Sequence, residues 1–454
     1  MLKEFAVKQV SKQILPLVDN LSDENLERLL RLSGKLAPTE ETRNFSSLMV
    51  RLLHEGHPSI TLVKRMIKQT KPQVRKKIIN NLLINEYMVG SQKREQRRKQ
   101  GLAGPEAFLI SPTMRCNLAC PGCYAAKYSR KDDLEFEVID RVISEGKELG
   151  IYWITILGGE PFVHRDMWKI YQKHSDIFFQ VFTNGTLIDK EVAKKLAKLG
   201  NVLVNISLEG FQPETDARRG KGIFLKIMYS MDNLREAGVP FGFSSMVTRN
   251  NVETIVSDEF NDMLISKGCL VGWHFLYIPE GRDAGVNLMP TAEQREMLRL
   301  RGAQRIRNEK PLFVVDFWND APYVGGCIAG GFRYFHINAQ GDVEPCIFVH
   351  LATDNIKQKS LSEAINSPFF KGIRSQQPYG ENLLRPCMII DHPYVLRNLY
   401  SDFHPHPTDG PVCGFVANLR DDLDLYSQEV AAKLDPVWQS EFARKTNQEK
   451  TPVK

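Results

Sequence analysis

The stretch CNLACPGCY places Cys116, Cys120 and Cys123 at spacings of four and three, in a chain of 454 residues with eight cysteines in all. Thiolates this close along a chain reach a common centre, so the triplet can hold three corners of an iron-sulfur cube and leave the fourth iron open. A closed tetrahedral zinc site needs a fourth ligand, and Ser111 to Lys127 offers neither another Cys nor a His. Three unrelated buried thiols are the remaining reading. The redox setting bears on the choice. The opening MLKEFAVKQVSKQILPLVDN is interrupted by Glu4, Lys8, Lys12 and Asp19, and no segment approaches the roughly 18 uncharged apolar residues of a membrane span. Neither export nor a transmembrane helix is expected, so the chain reads as cytoplasmic. Clustered cysteines there point to metal or redox chemistry rather than disulfides.

A metal-binding loop has to be carried by rigid elements. From Gly101 onward short apolar runs recur: AFLIS at 107, YWITIL at 152, IFFQVFT at 177, VLVNIS at 202, FGFSSMV at 241 and VGWHFLYI at 271. Amphipathic stretches such as EVIDRVISEGKEL and EVAKKLAKLG lie between them. Short apolar strands alternating with helical patterns predict an α/β fold with a parallel βα series, barrel-like or doubly wound. In such folds chemistry gathers at the C-terminal ends of the strands, and the cysteine loop begins directly after the first.

The second strand ends in ILGGEPFVHRD, where Gly158 and Gly159 let backbone come close to a ligand and Glu160 can accept from a cationic amino group. GGEP alone is a weak signal, but it stands immediately behind a strand and some forty residues after the cysteines. The third strand ends in FTNGT, the fourth in ISLEG, and TDARRGKG follows. Segment by segment this resembles the radical S-adenosylmethionine (radical SAM) enzymes. The resemblance implies a partial (β/α)6 TIM-type barrel and a 4Fe-4S cluster on Cys116, Cys120 and Cys123. The open iron is then chelated by the amino and carboxylate groups of S-adenosyl-L-methionine, whose homolysis yields a 5′-deoxyadenosyl radical that takes hydrogen from an unactivated carbon. It implies cofactor contacts from Gly158, Gly159 and Glu160, from Asn184 and Ser207, and from Arg218 or Arg219, with a low-potential electron donor such as flavodoxin or ferredoxin. No further catalytic residue is assigned. One position departs from the family: Gly122 stands where an aromatic residue commonly precedes the third cysteine, and Tyr124 follows it, to pack into the barrel or face substrate.

Cys269 reads as a buried core thiol. Cys327, Cys346, Cys387 and Cys413 lie in turn-rich stretches, and INAQGDVEPC suggests a hairpin with Asn338, Gly341 and Asp342 in its turn and Pro345 before Cys346. This resembles the SPASM extension or its shorter twitch form, which implies one auxiliary 4Fe-4S cluster, with Cys413 as fourth ligand or free.

The first hundred residues read as a helical, basic region. Net charge is +6, and between Thr61 and Gln100 twelve Lys and Arg face two acids, Glu86 and Glu95. A basic amphipathic helix there is either the solvated face of a small domain or a contact with an anionic membrane. The membrane reading favours a lipid acyl chain as substrate; the alternative is a ribosomally made peptide, which SPASM-type relatives commonly modify. A nucleic-acid-binding iron-sulfur protein is not expected, because it leaves GGEP and the strand order unexplained. The expected division is 1–100, a radical SAM core 106–310, an auxiliary-cluster region 311–415 and a C-terminal helix and tail 416–454.

Overall fold

The computed structural model describes residues 22–36, 40–411 and 414–443. All six expected strands form: β1 Ala107–Ile110, β2 Trp153–Ile156, β3 Phe178–Thr183, β4 Val202–Ser207, β5 Phe241–Val247 and β6 Val271–Leu276. Each pairs in parallel with the next. Parallel neighbours need long crossovers, and helices such as Phe136–Leu149, Lys190–Leu199, Ile223–Ala237 and Asp258–Lys267 supply them. With helices on one face and the barrel interior on the other, Phe179, Val181, Val204, Ile206, Phe241 and Phe243 are wholly buried. Each such side chain contributes about 1.5–3 kcal/mol of apolar burial.

The sheet extends beyond the six strands. A seventh, β7 Phe313–Asp316, pairs in parallel with β6. On the other edge the hairpin β8 His336–Ile337 and β9 Val343–Glu344 adds to β1, so the order is β7-β6-β5-β4-β3-β2-β1-β8-β9. Four residues, FVVD, are too short for a periodic signal; the exposed ladder of β6 recruits them. The hairpin turn forms as expected, with the Asn338 carboxamide oxygen accepting from the backbone of Gln340 and Asp342 at 3.0 Å each and Gly341 at φ 94°.

Part of the basic N-terminal region packs against the core. Pro58–Gln69 is followed by Pro72–Ile78, which runs through a π-helical stretch, Ile79–Gly90, into Ser91–Lys99. These helices pass beneath the N-terminal ends of the strands and cap the loops that lead into them. Arg65 donates to the carbonyls of Pro311 (2.6 Å) and Ile265 (2.7 Å), and Gln69 to Gly268 (2.8 Å). Lys77 donates to Ser175 (3.2 Å), Asn81 to Ile177 (2.8 Å), Lys93 to Lys147 (2.8 Å) and Arg94 to Gly150 (2.5 Å). Arg94 is also paired with buried Glu86 at 2.7 Å. The acceptors sit at or just beyond helix C-termini, where carbonyls lack intrahelical partners and the dipole favours cations, each contact being worth about 0.3–1 kcal/mol. Four of the twelve cations, Arg65, Lys77, Lys93 and Arg94, therefore act as a clamp on the barrel floor, while Lys68, Lys71, Lys76, Arg98 and Lys99 are exposed. Among the described residues no helix is long and apolar enough to cross a membrane.

Candidate functional site

The cysteine loop leaves β1 and lies on the exit of β2. Gly159 N–H donates to the Thr113 carbonyl at 2.9 Å and Glu160 N–H to the Arg115 carbonyl at 2.8 Å. A Cβ at Gly158 would stand 2.2 Å from the Thr113 oxygen, and one at Gly159 2.1 Å from the Arg115 oxygen. The glycines are thus required by the close approach of the cysteine loop itself, in addition to leaving room for a ligand. The far side of the loop is held by the exit of β6: Gly122 N–H donates to Arg282 O at 2.7 Å and Arg282 N–H to Cys123 O at 3.2 Å.

Cys116, Cys120 and Cys123 line one cavity of about 990 Å³ together with Gly158, Gly159, Asn184, Ser207, Arg218 and Arg219. Every cofactor-site residue expected from the sequence is on its wall except Glu160. That side chain is fully buried behind it, accepting from Thr183 Oγ1 at 2.9 Å, Asn184 N at 2.8 Å and Phe162 N at 3.1 Å. Three of a carboxylate's roughly four acceptor positions are thereby filled. Asn184 in turn donates to Asn117 at 2.8 Å, so Glu160 and Asn184 fix the end of β3 against the cysteine loop. Burial raises the Cys116 thiol above its usual range, despite a backbone donor from Leu118 at 3.4 Å. Three thiols with no fourth nearby among the described residues, opening on one cavity, fit a cluster with one iron left for another ligand.

Glu209, just beyond β4, did not stand out in the sequence. Wholly buried, it accepts from Arg218 Nη1 at 2.7 Å, Arg219 Nη2 at 2.5 Å and Met246 N at 3.0 Å. Burial raises its carboxyl, but the two guanidinium groups outweigh burial and the net shift is downward. The pairing turns both arginines toward the cavity, and buried Arg218 Nε has no partner among the described residues. Two guanidinium side chains on this wall suit a carboxylate ligand such as that of S-adenosylmethionine.

The departure at Gly122 has a structural counterpart. Its φ is 63°, and a Cβ there would meet the Tyr277 ring at 2.9 Å. Tyr277, at the exit of β6, thus lays an aromatic ring against the position where the family commonly carries its own. Tyr124 lines the cavity and meets Phe348 edge-on at 6.0 Å.

Cys327, Cys346 and Cys387 converge on a second cavity of about 750 Å³, although 60 residues separate the first from the last. Burial pushes the Cys327 thiol up to about 12. Tyr334 O–H lies 3.2 Å from Cys346 Sγ and Ile389 N–H donates to Cys387 Sγ at 3.4 Å, contacts typical of thiolates that hold iron. Cys413, the fourth late cysteine, lies outside the described residues, and Cys269 is a buried core thiol as expected. Phe275, Ile347 and Phe348 line both cavities. Phe275 stacks on Phe317 at 5.4 Å and meets Phe182 edge-on at 5.7 Å, so the partition between the two cysteine sites is apolar.

Comparison with known proteins agrees with this arrangement. Residues 110–258 match the radical SAM superfamily and residues 327–388 the SPASM iron-sulfur cluster-binding domain. Mycofactocin maturase MftC of Mycolicibacterium smegmatis is 36% identical over 207 residues, 44% of this chain and 52% of that protein. MftC of Mycobacterium tuberculosis is 31% identical over 301 residues, 62% of this chain and 76% of the relative. The AdoMet-dependent heme synthase of Nitratidesulfovibrio vulgaris is 28% identical, with 59% of this chain and 80% of that protein aligned. Streptococcus suis SuiB, solved with S-adenosylmethionine and also with its precursor peptide SuiA, shares the fold. For the S-adenosylmethionine complex the TM-score is 0.55 at 20% identity, over 65% of this chain and 75% of SuiB. The chain belongs to the radical SAM superfamily and carries a SPASM domain.

Proposed function

We propose that this radical SAM enzyme modifies a ribosomally made peptide at an apolar or aromatic side chain. The observation that carries the reading is the shared wall of Phe275, Ile347 and Phe348, an apolar surface next to both cysteine sites that would suit an apolar or aromatic side chain. The likeness to a maturase and to an enzyme solved with a precursor peptide supports it. A lipid acyl chain would also suit an apolar wall, but four of the cations that would bring the enzyme to a membrane, Arg65, Lys77, Lys93 and Arg94, are engaged with the barrel floor. When bound, S-adenosylmethionine and the two clusters supply a 5′-deoxyadenosyl radical for hydrogen abstraction and an acceptor for the electron left behind. The chain's own part is to orient the cofactor through Arg218, Asn184 and Ser207, and to keep water away through the aromatic partition. A low-potential donor such as flavodoxin or ferredoxin would supply the reducing electron.

The test is isotopic. Holoenzyme is incubated with peptide extracts from cells grown on deuterated leucine, valine and tyrosine, and separately with lipid extracts from cells grown on deuterated fatty acids. Deuterium is expected in 5′-deoxyadenosine only with the peptide fraction; transfer from the lipid fraction overturns the reading.

Glu160 is proposed to accept from the cofactor's amino group through its remaining lone pair. A charge-assisted hydrogen bond is worth about 1.5–3 kcal/mol, so Glu160→Ala should weaken S-adenosylmethionine binding about 10- to 150-fold with iron content retained. Unchanged affinity by calorimetry would reject the role.

A further inference from the structure

The second cavity carries a hydroxyl against a cysteine sulfur. Tyr334 Oη lies 3.2 Å from Cys346 Sγ. That is closer than the amide contacts of the other thiols: Leu118 N–H to Cys116 and Ile389 N–H to Cys387 each span 3.4 Å, and Asn184 Nδ2 lies 3.8 Å from Cys116. Among the described residues the phenol has no second hydrogen-bond partner.

The backbone fixes that hydroxyl in place. Tyr334 N–H donates to the Ile328 carbonyl at 3.1 Å, and the Tyr334 carbonyl accepts from Gly331 N–H at 2.9 Å, so one tight loop carries Cys327 and the tyrosine together. The Arg333 carbonyl accepts from Glu106 N–H at 2.7 Å and Ala107 N–H at 3.1 Å, which ties this loop to the start of β1. On the ring side Phe317 lies at 6.4 Å and itself stacks on Phe275. The tyrosine thus reaches from the Cys327 loop across to Cys346, two residues beyond β9.

The rest of the wall supplies little for a charged group: Leu109, Phe275, Ile347, Val349 and Met388 are apolar. Trp318 lines the same cavity at 6% exposure, and its Nε1, which can only donate, is buried with no partner among the described residues. An orphaned donor and a phenol beside three thiols fit an acceptor-rich group such as the sulfur atoms of a cluster. A sulfur bound to iron is a thiolate without a proton, so in the loaded enzyme Tyr334 is the donor of its contact. One-electron reduction adds a negative charge that apolar walls disfavour and a hydrogen bond to sulfur stabilises, so such a bond raises the reduction potential.

We propose that Tyr334 sets the reduction potential of the auxiliary cluster by donating its hydroxyl to the Cys346 thiolate. Acting through Cys346, it is a positioning residue for the reaction. The role rests on the proposed use of that cluster as acceptor: the substrate radical loses one electron, the cluster gains it, and a raised potential increases the driving force of the transfer.

The test is a potentiometric titration of full-length, cluster-loaded enzyme followed by electron paramagnetic resonance. S-adenosylmethionine added to a parallel sample perturbs the signal of the early cluster and so identifies the other as auxiliary. Tyr334→Phe keeps the ring and removes the donor. At a fixed potential its auxiliary cluster should show a reduced-to-oxidised ratio about tenfold lower, a fall of about 59 mV for one electron, with the early cluster's potential and the iron content unchanged. A ring-fluorinated tyrosine at the same position donates more strongly and should move the auxiliary potential upward, a gain that misfolding does not produce. An auxiliary potential unmoved by either replacement, or moved in the same direction by both, would overturn the role of Tyr334. A wild type with a single cluster signal would overturn the auxiliary cluster itself, and the role with it.

Discussion

Replacing Cys116, Cys120 and Cys123 together by alanine is expected to abolish reductive formation of 5′-deoxyadenosine and to lower iron in anaerobically reconstituted protein by about half. The reason is geometric. The three early thiols line one cavity and Cys327, Cys346 and Cys387 another, with Phe275, Ile347 and Phe348 between them. Each set has its own hydrogen-bond donors, Leu118 N–H for Cys116 and Ile389 N–H for Cys387, so the late set should load without the early one. Iron and sulfide analysis with electron paramagnetic resonance of the reduced variant checks this. Loss of all iron from the triple variant would mean that the late cysteines hold no cluster of their own.

The second large effect is expected at Glu209. Replacing it with alanine strands the guanidinium groups of Arg218 and Arg219, whose side chains are 17% and 10% exposed. Removing one partner of a buried ion pair costs about 3–5 kcal/mol, so Glu209→Ala should show a marked loss in chemical denaturation. It should also lose most S-adenosylmethionine affinity, because Arg218 no longer has the anchor that turns it toward the cavity. Glu209→Gln keeps an acceptor and should fall between. The acid side carries the same signature. With the carboxyl held below its ordinary value in the folded state, its stabilisation is complete above the ordinary carboxylate range and is lost as pH falls through the depressed value. Wild type should therefore lose stability on acidification more steeply than Glu209→Ala. A variant with unchanged unfolding midpoint and unchanged cofactor affinity would remove Glu209 from the positioning role.

The sequence by itself determined the strand-by-strand α/β pattern, the loop that carries three thiols, the glycine turn behind the second strand and the hairpin before Cys346. These features are local: apolar runs, close cysteine spacing and turn residues act over a few positions, so their chemistry is legible without the fold. Tertiary structure decided what depends on distant partners. Glu209 resembles any acid after a strand until Arg218 and Arg219 fold back onto it. Tyr277 reaches Gly122 across more than 150 positions of chain. The basic N-terminal region reads as a surface in isolation, but unpaired carbonyls at helix C-termini under the barrel draw four of its twelve cations inward. A side chain's charge is written in the sequence, but its electrostatic partner is chosen by packing, since desolvation makes an unpaired buried charge far more costly than an exposed one.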